Sequence, residues 1–407
     1  MEKKYEVIDN IIKIEVYLYI IFTFITKGEG IRNILLFSSF FLWLATIKYR
    51  QNLWILKEPV SLLFWGNIAS ILIAVPFSID PLYSLSSLKI DPLRAIIIFC
   101  LVSTMLSDEK SLKRFVTISF FLLVFTISVG YYSYWAYDLP LMRPVTAIRH
   151  AWHSRFAIDL NTLMSFTFVL YLLNKDRKPS VLLLMLIAAG ISGVILSTSR
   201  GGLAAFVFIV FVWIIYFHRN KRLNPKVAAA GSAFIILIFT SALFLSPVMK
   251  NRLFFDKENI LSIGERTPIW GPLLSAAFQK PFLGWGYGSN IFSMDLPFEN
   301  TPYKVAPVNY KPAFRNPHNP FLRIFFHQGI AGVILYAVLL IAAIRAFWRG
   351  SLDSQGMKSY ILMACAGILV GTYIVNAMVE NSQLKDLSLI LGIGLAAKNI
   401  KNENSHT

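Results

Sequence analysis

The chain has 407 residues, of which 56% are hydrophobic and 15% are charged, and its mean hydropathy is +0.59. Soluble proteins carry about 25% charged residues, so this composition excludes an assembly of soluble domains. The apolar content is enough for about ten to twelve helices of roughly 20 residues that cross a membrane. A net charge of +17 would indicate nucleic-acid binding in a soluble protein, so the positions of the cations decide what that charge means.

Apolar runs bounded by charges and by Gly or Pro turns predict an all-α, polytopic membrane protein with about twelve spans. The runs cover residues 14–26, 33–47, 59–77, 92–106, 115–136, 157–173, 181–197, 201–217, 227–247, 321–344, 359–378 and 384–397. This divides the chain into residues 1–247 with spans one to nine, a large outer loop at 248–320, and residues 321–407 with spans ten to twelve and a cytoplasmic tail.

The first apolar run is interrupted by Lys13 and Glu15, and no small-residue cleavage signature follows it. We therefore interpret it as a retained span and not as a signal peptide. The two cysteines, Cys100 and Cys365, both lie in apolar runs, which excludes a disulfide framework and a thiolate metal site.

The lysines and arginines are distributed unevenly between the two sides. With a cytoplasmic N-terminus, the predicted inner connections and the two ends of the chain hold 21 of the 39 cations. This pattern obeys the positive-inside rule for short loops and places the 73-residue connection 248–320 outside. Long connections without a span are usually functional, so we expect function there.

Several short motifs lie on the predicted outer side. Asp80-Pro81 and Asp91-Pro92 indicate a turn and a helix start, with no function expected. Residues 149–155 contain Arg149, His153 and Arg155, which form either a collar for lipid headgroups or part of a site for an anionic ligand; the sequence leaves both open.

Arg200 lies in the turn Ser197-Thr198-Ser199-Arg200-Gly201-Gly202 between spans seven and eight. The turn is so short that Arg200 must lie at the tip of a helical hairpin, close to the membrane boundary. There it either reaches lipid phosphate or presents paired donors to a phosphate in a cavity.

The large loop contains an amphipathic helix. Thr267 is a good N-cap, Pro268 suits the first helical position, and apolar residues recur at helical spacing up to Pro281. We expect this helix to lie on the membrane surface or to cover a cavity. Arg266 precedes its positive end, so it either binds an anion together with the backbone or forms a surface salt bridge.

The run Gly284-Trp285-Gly286-Tyr287-Gly288 follows, without the flanking strand and helix of a nucleotide site. It predicts a tight turn with two aromatic side chains at the membrane interface.

The loop ends with a histidine in front of span ten. Asn319 is a natural N-cap and Pro320 a natural first helical residue, which would hold His318 at the mouth of the helix. Histidine titrates near neutral pH, so His318 is either a general base or a structural residue. Glu380, just outside span eleven, either orients a cation or an acceptor hydroxyl or is a plain loop carboxylate. No motif indicates a metal or another cofactor.

At these residues the chain resembles the O-antigen ligase and polymerase superfamily of bacterial envelope enzymes, and within it the O-antigen ligases of enteric bacteria. The resemblance covers roughly residues 145–395 and rests on the order and sidedness of the motifs. These are the 149–155 cluster, the hairpin at Arg200, Arg266 with its helix, the 284–288 turn, Pro317-His318-Asn319 and Glu380.

The resemblance implies a metal-independent, inverting glycosyltransferase of the GT-C-like type, in a bacterial inner membrane with its site facing the periplasm. It would transfer O-polysaccharide from undecaprenyl pyrophosphate to the lipid A-core oligosaccharide, in contact with membrane lipids. Nucleic acid is not expected as a partner, because 21 of the 39 cations act as topological anchors on the cytoplasmic side. His318, Arg266 and Arg200 would be catalytic. The substrate-binding residues would be Arg149, His153, Arg155, Asn319 and Glu380.

Two alternatives remain at this point. An O-antigen polymerase would use the same donor and arginines but would extend another lipid-linked glycan. A flippase or transporter of twelve spans would commonly join two halves by a long connection between spans six and seven, whereas residues 174–179 are short and no half-to-half repeat is visible.

Overall fold

A computed structural model describes residues 2–25, 28–50, 52–146, 151–174, 180–220, 267–289, 291, 317–378 and 383–400, and these are helices joined by turns. The helices are α1 (Glu2–Ile25), α2 (Glu29–Ala45), α3 (Pro59–Ala74), α4 (Pro81–Ser87), α5 (Pro92–Met105), α6 (Glu109–Ala136), α7 (His153–Asn174), α8 (Ser180–Leu196), α9 (Arg200–Arg219), α10 (Thr267–Gln279), α11 (Pro320–Leu352), α12 (Gly356–Ile368) and α13 (Leu384–Lys398). A π-helical segment, Leu369–Val375, and a 3₁₀ turn, Asn376–Met378, continue α12.

The helices follow the predicted spans. The ninth predicted span, 227–247, lies outside the described residues, and a helix lies at the position of each of the others. The helices at Glu109–Ala136, His153–Asn174, Arg200–Arg219, Pro320–Leu352 and Gly356–Met378 are long and apolar enough to cross a membrane. The chain is therefore a helical, multi-pass membrane protein, while the number of twelve spans stays a prediction.

Several helices are longer than hydropathy predicts. Helix α1 has the largest extension, since it begins at Glu2 instead of residue 14. Helix α6 begins at Glu109 instead of residue 115, and α11 continues to Leu352 instead of ending near residue 344. Hydropathy marks only the apolar part of a helix, whereas backbone hydrogen bonding continues through polar residues until a cap or a turn ends it.

Helices α5 and α13 form the centre of the bundle. They pack along each other, and the side chains of α13 are buried from Leu387 to Ala397. Gly392 of α13 approaches Val102 of α5 so closely that a Cβ atom on residue 392 would lie 3.0 Å from the Val102 Cβ. Small residues permit such contacts between membrane helices. Around this pair, α3 packs on α11, α6 on α7, and α1 on α2.

One end of the bundle is held by ion pairs that join distant segments. The pairs are Lys13 with Asp108 at 2.7 Å, Arg50 with Asp9 at 3.0 Å, and Lys398 with Glu58 at 2.5 Å. Each pair brings together segments that the charge pattern assigns to the inner side or its boundary. The opposite end, where the predicted outer connections lie, is called the outer end below.

Asp108 links a helix cap to one of these pairs. Its carboxylate accepts a hydrogen bond from the backbone N–H of Ser111 at 2.7 Å and another from Lys13. Partial burial raises the pKa of Asp108, but the hydrogen bonds from Lys13 and Ser111 outweigh that effect, so the pKa lies below its usual value. The ionised carboxylate therefore stabilises the fold.

We predict that Asp108→Ala lowers the free energy of unfolding by about 1 kcal/mol at pH 7, because the N-cap is lost. The difference in unfolding free energy from the wild type should persist down to pH values near the ordinary pKa of a carboxyl group. It should shrink as the pH falls through the lowered pKa of Asp108. Thermal unfolding of the purified protein in detergent at several pH values measures it. Asp353→Ala, which removes an exposed carboxylate, is the control; equal effects of both substitutions would contradict the prediction.

Candidate functional site

The start of α11 holds the histidine that the sequence singles out. The Asn319 side-chain oxygen accepts a hydrogen bond from the backbone N–H of Leu322 at 3.1 Å, and Pro320 is the first helical residue, both as predicted. His318 has a φ of +52°, in the left-handed region that residues other than glycine adopt infrequently. The cap and this backbone conformation fix His318, partly exposed, at the mouth of the helix.

Helix α10 confirms the predicted amphipathic helix and packs against α11. Leu273 and Ala277 are buried in a small apolar core together with Phe326 of α11, whereas Leu274 and Phe278 are exposed. The apolar residues of the predicted stripe therefore form two sets: one set packs against the protein, and the other is exposed.

A hydrogen bond ties α10 to the residue before the histidine. The indole N–H of Trp270 donates to the carbonyl oxygen of Pro317 at 2.7 Å. Because Pro317 is bonded directly to His318, the position of α10 constrains the position of the histidine backbone.

Helix α11 is broken at Gly329, which has φ +69° and ψ −167°. In a regular helix the N–H of Ile330 would donate to the carbonyl of Phe326. Here the Ile330 N–H donates to the carbonyl of Pro281 at 2.7 Å, and the Phe326 carbonyl accepts from the N–H of Trp285 at 2.8 Å. The segment 281–288, called the clasp below, therefore satisfies both backbone groups that the break leaves open.

The glycine at position 286 permits the clasp to lie this close. Its N–H donates to the carbonyl of His327 at 3.2 Å, and its own carbonyl lies 2.5 Å from Nδ1 of the same histidine. Gly286 has a φ of +103°, and a Cβ atom there would lie 2.0 Å from the Ser78 hydroxyl oxygen. The glycine-rich run is thus a backbone clasp on α11, which accounts for the glycine without a phosphate ligand.

The prediction that the two aromatic residues of this run lie at the membrane interface is wrong. Trp285 is 3% exposed and Tyr287 is 6% exposed. The protein interior supplies the polar partner that an interface would otherwise offer: the indole N–H of Trp285 donates to the Ala276 carbonyl at 2.8 Å.

The hairpin between α8 and α9 places Arg200 at the first residue of α9, as predicted, and its side chain is exposed. Ser199 is the N-cap, and its hydroxyl accepts a hydrogen bond from the N–H of Gly202 at 3.1 Å. Asn161 of α7 donates to the Gly202 carbonyl at 2.7 Å. The tip with Arg200 is therefore fixed beside the N-terminal part of α7.

His153 and Arg155 lie at the start of α7. His153 is the first residue of the helix and is partly buried. The Arg155 Nε lies 3.0 Å from a carboxylate oxygen of Asp159, and its terminal nitrogen pairs with the carboxylate of Asp386 in α13. Arg155 thus joins α7 to α13, with its charge shared between two carboxylates.

Arg149, Arg266 and Glu380 lie outside the described residues. Their places in the site therefore stay predictions.

A pocket at the outer end lies between α3, α5, α11 and the start of α13. It has about 450 Å³ of empty volume, part of it open solvent. Its polar lining residues include Asn67, Asp91, Tyr287, Arg323 and Gln383. The sequence analysis did not identify these residues as part of a site. One signal for them was available: Arg323 follows the Asn319 cap by four residues and so lies on the same face of the helix.

Asp91 has a different role from the one its sequence indicates. Its carboxylate accepts hydrogen bonds from the backbone N–H groups of Leu384 and Lys385, both at 3.3 Å, so it caps α13 and not its own helix α5. Burial raises the pKa of Tyr287, and the nearby carboxylate of Asp91 adds to the increase, while Arg323 opposes it. Tyr287 is therefore neutral, and charges of both signs face it.

Among the residues that the structure describes, no group of three or more His, Cys, Asp or Glu side chains is placed to hold a metal ion. Metal independence stays an expectation, since three residues of the predicted site are not described.

Comparisons with known proteins agree with the arrangement of these motifs. The O-Antigen ligase family model matches residues 181–337, a stretch that contains Arg200, Arg266 and His318. The chain is 25% identical to a protein of Salmonella typhimurium described as O-antigen ligase, over 55% of each chain. It is 23% identical to a protein of Acinetobacter baylyi described as ComP-specific O-oligosaccharyltransferase, over 45% of this chain and 33% of that one.

Over residues 181–337 the chain is similar to the O-antigen ligase family, and both relatives carry related descriptions. It matches about half and about a third of the lengths of these two relatives.

We predict that Gly329→Ala lowers the free energy of unfolding by about 2 kcal/mol or more. A Cβ atom at this positive φ would lie 2.2 Å from the Phe282 carbonyl oxygen of the clasp. Thermal unfolding in detergent measures the change. The control is Gly66→Ala in α3, where a Cβ atom meets Leu335 at an ordinary 3.6 Å; a loss as large in the control would show that the break is not the cause.

Proposed function

We propose that the protein is an O-antigen ligase that transfers polysaccharide from undecaprenyl pyrophosphate to the lipid A-core oligosaccharide. The observation that carries the proposal is the placement of His318. It lies in the family-matched stretch 181–337, held by the Asn319 cap on one side and by the hydrogen bond from Trp270 to Pro317 on the other. A fixed titratable group at a helix mouth suits the deprotonation of a hydroxyl group.

In this mechanism His318 accepts the proton of the acceptor sugar hydroxyl. The hydroxyl oxygen forms a bond to the anomeric carbon of the donor, on the face opposite the leaving group, so the configuration inverts. The bond between that carbon and the phosphate oxygen breaks, and undecaprenyl pyrophosphate leaves with the electron pair.

Arginines stabilise the leaving group in place of a metal ion. Arg200 is at a helix start with its side chain exposed, and Arg266 precedes the start of α10. Guanidinium groups form paired hydrogen bonds to phosphate oxygens and stay charged at all working pH values. Both therefore suit a pyrophosphate whose negative charge grows in the transition state.

The remaining predicted residues bind the substrates. Arg155 contributes little net charge, because the carboxylates of Asp159 and Asp386 pair with its guanidinium. The other proposed binding residues are Arg149, His153, Asn319 and Glu380.

The proposed location is a bacterial inner membrane, with a GT-C-like bundle of twelve spans and a periplasmic loop at 248–320. The distribution of charge supports this orientation, since the inner connections and the two ends of the chain hold 21 of the 39 cations. Arg200 and His318 then both belong to the periplasmic side.

A second candidate differs only in the acceptor. The relative described as ComP-specific O-oligosaccharyltransferase favours O-linked transfer of the glycan to an acceptor other than lipid A-core. An O-antigen polymerase would extend a lipid-linked glycan instead.

Deletion of the gene distinguishes these acceptors. We expect long lipid-linked polymer to accumulate without attachment to lipid A. Single repeats attached to lipid A would indicate a polymerase, and intact lipopolysaccharide with unglycosylated protein would indicate an oligosaccharyltransferase. Gel analysis of lipopolysaccharide and mass analysis of glycoproteins measure the three outcomes.

We predict that His318→Ala reduces the ligation rate by about 10²–10⁴-fold, because the general base is lost, and that Arg266→Ala also abolishes ligation in a strain without the native gene. Complementation and in vitro transfer with purified lipid-linked donor measure both effects. His218→Ala, at the opposite end of α9, should keep wild-type activity. Full ligation by either of the first two variants would refute the assignment.

A further inference from the structure

The pocket at the outer end contains a buried amide that no described residue satisfies. Asn67 of α3 lines the pocket and is 2% exposed, and its Nδ2 has no hydrogen-bond partner within the described ranges. Buried polar groups in proteins are almost always hydrogen-bonded, so such a donor requires an explanation. A ligand with an acceptor oxygen in the pocket would supply one.

The charges around the pocket favour a neutral ligand. The carboxylate of Asp91 and the guanidinium of Arg323 both line it and are of opposite sign. A site for an anion such as pyrophosphate would instead present an excess of cations. The two charges therefore suit a ligand that offers both hydrogen-bond donors and acceptors and carries no charge of its own.

The lining of the pocket combines polar and apolar side chains. Beside its polar and charged groups, the pocket is lined by apolar side chains that include Ile71, Ile324 and Leu384. A sugar ring has hydroxyl groups at its edge and C–H groups on its faces, which match this lining.

The pocket reaches from the outer end into the bundle. Gln383 at its mouth is exposed, and Pro320, also in its lining, lies two residues from His318. Asn67 lies seven residues before Ala74, the last residue of α3, and at 1.5 Å per residue this is about 10 Å deeper. A ring bound there would belong to a glycan whose next unit lies near the mouth of α11.

We propose that this pocket binds one uncharged sugar ring of the glycan substrates, with the Asn67 amide donating a hydrogen bond to a ring or hydroxyl oxygen. The proposal rests on the proposed function for the identity of the glycan, but the binding itself does not require transfer activity. Donor and acceptor glycans offer the same chemistry, and the second experiment below separates them.

The first experiment measures binding without catalysis. Both native cysteines are buried, so Gln383→Cys introduces a thiol that alone is open to a water-soluble maleimide. We expect methyl α-D-glucoside or methyl α-D-galactoside at high concentration to slow alkylation at position 383 at least threefold, and inorganic pyrophosphate not to slow it. Adding Asn67→Leu should abolish the protection.

The matched control is Gln355→Cys, since Gln355 is also an exposed N-cap glutamine, at the start of α12. Neither glycoside should slow alkylation there. Protection at position 383 by pyrophosphate in place of the glycosides, or by no compound, would overturn the proposal.

The second experiment compares substrates in the transfer reaction of the full-length protein. Asn67→Leu should raise the KM for one glycan substrate at least tenfold and change kcat less than threefold, and the substrate affected identifies which glycan fills the pocket. Its melting temperature should not fall, because the substitution removes an unsatisfied buried donor. Asn67→Asp, which keeps the size of the side chain, provides a second folded variant.

The two hypotheses fail in different ways. Unchanged KM values for both substrates in stable Asn67 variants would refute the pocket and leave the ligase function intact. If the wild-type protein transfers no glycan while its Gln383→Cys variant still shows glycoside protection, the ligase is refuted and the pocket stays intact.

Discussion

A membrane helix cannot leave backbone hydrogen-bonding groups open, and in this protein that constraint organises the candidate site. The break at Gly329 frees the Phe326 carbonyl and the Ile330 N–H, and the clasp takes both. Through the Trp285 hydrogen bond to Ala276, the clasp in turn holds α10. Helix α10 then reaches back to the residue before His318, so the candidate base is positioned by a chain of backbone contacts that begins inside the bundle.

The two ends of the bundle use charge differently. At the inner end, single lysine or arginine side chains pair with single carboxylates and join connections, as in the pair of Lys398 and Glu58. At the outer end, Arg155 pairs with both Asp159 and Asp386. Asp91, which directly precedes α5, caps the start of α13 instead of its own helix. These contacts bring the starts of α5, α7 and α13 together. The outer end is thus a preorganised polar surface within an otherwise apolar bundle.

Much of the site was predictable because its signals are local. Residues within one or two helical turns determine each of these features: the Asn319 cap, the short hairpin that ends at Arg200, and the periodicity of α10. The pocket was not predictable in the same way. Asn67 and Asp91 are ordinary residues of a span and a helix start in the sequence, and they acquire a role only from the helices packed against them.

The sequence by itself determined that the chain is a helical membrane protein, where most helices lie, and which family it resembles, because hydropathy, capping and motif order are properties of short segments. The tertiary structure decided the break in α11, the burial of Trp285 and Tyr287, the pairing of Arg155 and the pocket at Asn67. Each of these features depends on contacts between residues far apart in the chain. The spacing of residues within a single segment does not reveal such contacts.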